Sequence, residues 1–535
     1  MAAIFQAVLF MLAVLAAVAV AAKRLNLAPS ILLVAAGVGM ALVPGLPNIQ
    51  LAPELVLLVF LPPLIYSAGV SMSWREFKYN LRPIGLLAFG CVVFTTCAVA
   101  VAAHYLLGFD WAVGFLLGAI VAPPDTVAPL AIARSLGLPR RLVVILEGEG
   151  LANDATALIL YRFAVVAVTT GAFSPTHAAG TFGLIVVGEI IYGIAVGWLS
   201  LRLRKWAREP RVEITLSLMT PYLAFWVPEH LGGSGVLATV ACGLYVSWNG
   251  PLLIPSGTRL QGIFFWDLIV YLIEGFVFLL TGLQARTLIE QTHGFSIREL
   301  AIAALWTTLI VIVARFVWVF PATYLPRWLI PKIRKHDPSP PWQYPFLLSF
   351  AGIRGVVSLA AALALPYVVA SGAPFPHRDL ILFIVFGVIV LTLVGQGLML
   401  PAVVRALGLT RRGKEEHVEE LRRELEARRE ALTAVTNRLD KAIADHEFPD
   451  ALFDHLQVRN QGRRQVLPDN LGDDLSRVRQ TAALKRELIS AERTFIYQLL
   501  RDGKLTDEAR RRIEYELDLE EASLANRYKD GGGWV

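Results

Sequence analysis

Ala122-Pro123-Pro124-Asp125-Thr126-Val127-Ala128-Pro129 sits inside an apolar run, residues 112–135, that would otherwise read as one helix. Adjacent prolines remove amide donors, and Pro124 pushes Pro123 out of helical geometry, so the helix must open near its middle. A second apolar run, 343–370, contains Ala351-Gly352-Ile353-Arg354-Gly355, which sets a charged residue between glycines. Between the two, run 142–170 carries Glu147-Gly148-Glu149-Gly150-Leu151-Ala152-Asn153-Asp154. A carboxylate at the centre of a bilayer costs roughly 2.5 kcal/mol or more, so such acids are functional candidates by default.

The surrounding chain fits a membrane. Of 535 residues 56% are hydrophobic and 17% charged, where a soluble chain carries about 25% charge. Residues 1–410 hold 42 charges and residues 411–535 hold 50. The chain therefore divides into an apolar part, 1–410, and a charged tail, 411–535. A soluble enzyme, a disordered protein and a nucleic-acid-binding module are disfavoured, because the net positive charge belongs to the apolar part. Cys91, Cys97 and Cys242 lie in apolar runs without metal-ligand spacing and read as buried side chains.

About 20 apolar residues in helical form cross a bilayer. Thirteen such segments occur, near 4–22, 28–46, 53–72, 83–107, 112–135, 142–170, 180–204, 212–229, 233–249, 262–284, 299–325, 343–370 and 379–409. With the N-terminus outside, the inner loops carry 18 Lys/Arg and the outer loops only Arg286, Arg298 and Arg378. That asymmetry favours this orientation and a cytoplasmic tail. The tail reads as two helical blocks. The first has Val418, Leu421, Leu425, Leu432, Val435 and Leu439 at 3,4 spacing, consistent with a short coiled coil or an amphipathic helix. Pro468-Asp469-Asn470-Leu471-Gly472 ends it, and the second block runs from about Asp474 to Arg527. His177 and His293 fall in outer loops, so no histidine pH sensor is expected.

The two interrupted runs are the fifth and twelfth, seven apart, as two inverted repeats would place them. Paired broken helices in matching positions point to a transporter site at the midplane. Asn153 lies one helical turn after Glu149, whereas Asp154 lies one turn after Gly150, which leaves room beside Asp154 for water or an ion. Removal from water disfavours a bare carboxylate, so Asp154 holds either a proton or a cation. If only the loaded forms cross the membrane, competition at one group is itself an exchange mechanism. Arg354 needs an anion to stay buried, and Glu149 is the expected partner. Arg162, Glu189, Glu274 and Arg315 also lie within spans, with interior pairing or snorkelling as their default.

At these residues the chain resembles the monovalent cation:proton antiporter-1 family, the sodium/proton exchangers of the NhaP and animal exchanger type. The resemblance spans nearly all of residues 1–410. It rests on Leu61-Pro62-Pro63-Leu64-Ile65-Tyr66-Ser67-Ala68-Gly69, on Asp125 with its flanking prolines, and on the run from Glu147 to Asp154. Phe265-Trp266-Asp267 through Phe276-Val277-Phe278-Leu279-Leu280-Thr281-Gly282-Leu283 and Gly352-Ile353-Arg354-Gly355-Val356-Val357-Ser358-Leu359 complete it.

The resemblance implies a homodimer with an inverted-repeat core that alternates access in an elevator-like motion. It makes Asp154 the ion- and proton-carrying carboxylate, Asp125 an auxiliary acid at the crossing of the helix breaks, and Asn153 a tie between helix ends. It pairs Glu149 with Arg354 and implies electroneutral exchange of one cation for one proton. Sodium is the first expectation, with potassium or lithium as alternatives, and no cofactor is expected. The setting implied is a bacterial inner membrane. Several positions depart from the family pattern. Pro124-Asp125-Thr126 stands where Thr-Asp-Pro is frequent, Gly150 where Ser is common, and Ser67 where an acid is often found, while Glu274 adds an acid. The reading from a different class is an intramembrane aspartyl protease using Asp125 and Asp154, whose Gly-x-Gly-Asp and Pro-Ala-Leu signatures do not occur in this sequence.

Overall fold

A computed structural model of the chain describes residues 2–25, 27–43, 52–171, 175–291, 296–444, 474–502 and 504–529. The described residues are helical almost throughout, and one isolated bridge between Val368 and Pro374 is their only extended pairing. Each of the thirteen apolar segments contains a helix or a pair of helices among the described residues. In chain order these are α1 (Ala2–Leu25), α2 (Pro29–Ala41), α3 (Leu55–Ser71) and α4 (Leu81–Leu107). The broken segment follows as α5 (Trp111–Val121) and α6 (Val127–Ser135), and then α7 (Arg140–Thr170). Next come α8 (Pro175–Ala207), α9 (Pro210–His230), α10 (Val236–Leu253), α11 (Ser256–Gln291) and α12 (Ile297–Leu329). The second broken segment is α13 (Gln343–Phe350) and α14 (Val356–Leu363), followed by α15 (Arg378–Ala406).

Eight of these, α1, α4, α7, α8, α10, α11, α12 and α15, are by themselves long and apolar enough to cross a membrane. The α2, α3 and α5 helices are apolar but shorter. Large side chains such as Leu184, Trp206, Leu252 and Trp328 are exposed on helix exteriors, as expected where lipid rather than water is the solvent. His177 falls in the first turn of α8 rather than in a loop, and His293 lies outside the described residues.

The chain divides into two compact units, Met1–Gly413 and Lys414–Val535. A helix, α16 (Leu409–Ala444), carries the first block of the tail. The expected second block is two helices, α17 (Asp474–Arg501) and α18 (Asp507–Lys529), with a turn beginning at Asp502. Ile489, Ile496, Leu517 and Leu524 pack between them, and Arg493 pairs with Asp518 and Glu521. The expected break at Pro468–Gly472 lies outside the described residues.

In the larger unit, helices approach through small residues, because between lipid-bathed helices close backbone contact supplies the attraction that water would otherwise drive. One such approach, with a glycine on each side, joins α2 to α11. A methyl group on Gly37 would meet Leu279 O at 2.3 Å, and one on Gly282 would meet Val34 O at the same distance. Gly282→Val is therefore expected to cost roughly 1–3 kcal/mol through overpacking, read as a lower melting temperature of the purified protein. Gly39→Ala, whose added methyl meets nothing within 4 Å, should leave the transition in place.

Candidate ion-binding site

The two interruptions meet. Between α5 and α6 the backbone leaves the helix at 122–126, and between α13 and α14 at 351–355. Asp125 N donates to Ile353 O at 2.7 Å, and Arg354 returns a bond from Nε to Val121 O at 2.6 Å. Each break thus satisfies a backbone group that the other leaves open, which a non-aqueous interior requires. Arg354 also donates to Gly352 O (2.6 Å), and its amide donates to Thr392 Oγ1 (3.0 Å) on α15. Its cationic head sits at the C-terminal end of α5, where the helix dipole is negative.

This is not the pairing expected for Arg354. The Glu149 carboxylate is held instead by Arg315 of α12, through Nη1 at 2.5 Å and Nη2 at 2.7 Å, while Arg315 Nε donates to Leu348 O at 2.9 Å. The Glu149 and Arg315 side chains are 0% and 2% exposed, so a fork-to-fork pair shields both charges. The expected structural ion pair at Glu149 exists, with a different arginine. Arg354 is satisfied by carbonyl oxygens, because the helix breaks supply unpaired ones within its reach.

Asp125 Oδ1 accepts from Val127 N, the first amide of α6, at 3.0 Å; its Oδ2 has no hydrogen-bond partner among the described residues. Asn153 Nδ2 donates to Pro124 O at 2.7 Å, tying α7 to the first break at a carbonyl that the prolines expose. Gly355 is pressed against Asp125, since a methyl group there would meet Oδ2 at 2.3 Å. The room expected over Gly150 is filled. A methyl group on Gly150 would meet Thr126 Oγ1 at 2.1 Å, so the Thr126 side chain occupies the place of the missing one.

Asp125, Thr126, Gly150 and Asp154 line a cavity of about 550 Å³, together with Pro124, Glu147, Asp267, Glu274 and Ser358. Glu147 is paired with Arg134 at 2.5 Å. Glu149, Asn153 and Arg354 do not line it. Of the lining acids, Asp267 and Glu274 went unassigned from sequence. Glu274 stood out there only as an extra acid in an apolar run, and Asp267 only as part of a motif. Of the other charges within helices, Glu189 and Arg162 have structural partners, whereas both carboxylate oxygens of buried Glu213 in α9 lack a hydrogen-bond partner among the described residues. Glu189 accepts from the amides of Ser234 (2.6 Å), Gly235 (3.1 Å) and Leu237 (3.1 Å) at the start of α10, and Arg162 pairs with Glu229.

A family described as the transmembrane sodium/hydrogen exchanger matches residues 10–406. An uncharacterized Na(+)/H(+) exchanger of Mycobacterium tuberculosis is 34% identical, over 94% of this chain and 92% of its own length. A sodium, potassium, lithium and rubidium/H(+) antiporter of Bacillus pumilus is 33% identical, over 74% of this chain and 61% of its own. Among solved structures, the sodium proton antiporter MjNhaP1 from Methanocaldococcus jannaschii superposes with a TM-score of 0.61 at 18% identity, covering 76% of this chain and 99% of that one. An all-helical membrane antiporter of cations and protons is thus the class that fold and relatives define. The chain belongs to the transmembrane sodium/hydrogen exchanger family. It is a transporter and not an enzyme, and the protease reading falls away with that membership.

Because Glu149 is fully buried, Arg315→Ala would strand its charge, at a cost of roughly 3–5 kcal/mol. Thermal unfolding of the purified protein should show a marked loss of stability, with much of it recovered in the Glu149→Gln/Arg315→Met double variant.

Proposed function

We propose that the chain exchanges a monovalent cation for a proton by competition at Asp154, with Asp125 as the auxiliary acid. The observation that carries this reading is the division of labour among buried charges. Glu149, Arg315 and Arg354 are committed to one another's helices or to carbonyls, whereas Asp125 and Asp154 both open on the cavity beside the crossed breaks. A carboxylate facing such a space can be neutralised by a proton or by a cation, not by both. The empty, charged form is the costly one to carry through the membrane interior, which couples the two fluxes.

In this reading Asn153 and Pro124 hold the site's geometry, and Thr126 sets the wall facing Asp154. One charge given for one taken makes the exchange electroneutral. Sodium is the favoured cargo, with potassium and lithium as competitors; the Bacillus pumilus relative is named for several alkali cations. Thirteen segments cross the membrane as two inverted repeats, with the N-terminus outside and the tail, 411–535, in the cytoplasm as a regulatory or assembly unit. The chain acts as a homodimer in a bacterial inner membrane.

Inverted vesicles acidified inside should lose their pH gradient on addition of sodium, potassium or lithium. Asp154→Asn is expected to reduce this response to background with the protein still in the membrane, and normal exchange by that variant would defeat the assignment. Asp125→Asn should raise the half-saturating cation concentration by about 10- to 100-fold, the usual effect of removing a supporting group from an ion site. In the wild type that concentration should rise as the pH falls, with the maximal rate held, because proton and cation compete.

A further inference from the structure

Away from the cavity, three arginines converge on one carboxylate. Asp337, in the segment between α12 and α13, accepts from Nη2 of Arg82 (2.6 Å), of Arg141 (2.7 Å) and of Arg327 (2.7 Å). These come from the first turn of α4, the first turn of α7 and the last turn of α12. The charges do not balance. Among the described residues no second carboxylate pairs with any of the three, and neighbouring Glu76 is already engaged by Arg140 at 3.0 and 2.7 Å. Two positive charges are left over. Arg141 Nε reaches Asn80 Oδ1 (3.2 Å) and Arg327 Nε reaches Asp337 O (3.2 Å), but Arg82 Nη1 is buried with no hydrogen-bond partner. A buried guanidinium nitrogen left unpaired is costly and calls for an acceptor.

Between the arginines lies a cavity of about 40 Å³, walled by Leu86, Leu87, Ile145, Val319 and Tyr344. One water needs about 10–15 Å³ of such space, so the cavity takes a group of a few oxygens. Its depth is marked by exposed Trp74, Tyr79, Trp328 and Trp342 nearby in sequence, the residue types that gather at the headgroup level of a bilayer. Lys78, Lys332, Arg334 and Lys335 are exposed on the same segments and would raise the local concentration of anions.

We propose that Arg82, Arg141 and Arg327 form a binding site for a phosphate group, supplied by the headgroup of an anionic phospholipid. Guanidinium forks match phosphate oxygens two at a time, and a phosphodiester, with its single negative charge, would offset one of the two positive charges in excess over Asp337. Apolar walls beside the arginines suit the chain that such a headgroup carries. Bound there, the lipid joins the ends of α4, α7 and α12 to the segment holding Asp337.

The test is thermal unfolding of the purified full-length protein in detergent with phosphatidylglycerol, with phosphatidylethanolamine, or with inorganic phosphate. Phosphatidylglycerol should raise the melting temperature by several degrees more than phosphatidylethanolamine does. Arg82→Gln should erase that difference, and Lys335→Gln should keep it. An Arg82-dependent rise with inorganic phosphate alone would support the phosphate site and name the free anion as its source. Equal effects of the two lipids, with no response to inorganic phosphate, would overturn the proposal, as would an undiminished difference in Arg82→Gln. Should that variant not fold, Arg141→Gln takes its place: loss of the difference supports the site, and its persistence overturns it.

Discussion

Everything in the larger unit turns on the need to satisfy backbone groups where two helices come apart away from water. An open turn in hydrocarbon leaves amides and carbonyls with no solvent to bond. Here each break serves the other. The amide of Asp125 takes the carbonyl of Ile353, and the guanidinium of Arg354 takes that of Val121. Asn153 adds a third tie, from α7 to Pro124 O. The irregular backbone persists because these bonds over-determine it, and with it the placement of Asp125 at the cavity wall.

Charge is then sorted by partner. Acids that brace helices have their oxygens filled, Glu149 by a guanidinium fork and Glu189 by three amides at a helix start. Asp125 keeps one oxygen without a hydrogen bond, and Asp154 faces the cavity. A fold that fixes some carboxylates rigidly and leaves others to the cavity separates structural electrostatics from exchangeable electrostatics.

Much of this was legible in the residues themselves. Pro123-Pro124 and Gly352-x-Arg354-Gly355 announce the breaks, and each of the thirteen apolar segments contains a helix or a helix pair among the described residues. Eight helices are individually long and apolar enough to span; of the other segments two are divided by the breaks, α2 and α3 are shorter, and α9 is a single helix of 21 residues outside that set. What sequence could not supply was the choice among distant partners. Helical spacing gives the face on which Glu149 lies but not which helix packs against it, so Arg354 was the expected partner where Arg315 holds it instead. Nor does spacing reveal that Thr126, on the far side of a break, reaches over Gly150. The tail's second block read as one helix because its charge pattern continues through the turn at Asp502.

The bond from Val127 N, at the start of α6, to Asp125 carries one more implication. Asp125 grips the first turn of that helix with Oδ1 while Oδ2 stays uncommitted, so whatever draws electron density to one oxygen weakens the grip of the other. Under the proposed function, loading of the carboxylate would in that way be felt as tension along a helix axis. Under the proposed function, a single side chain would then serve both as a berth for cargo and as a gauge that reports to the scaffold whether the berth is taken.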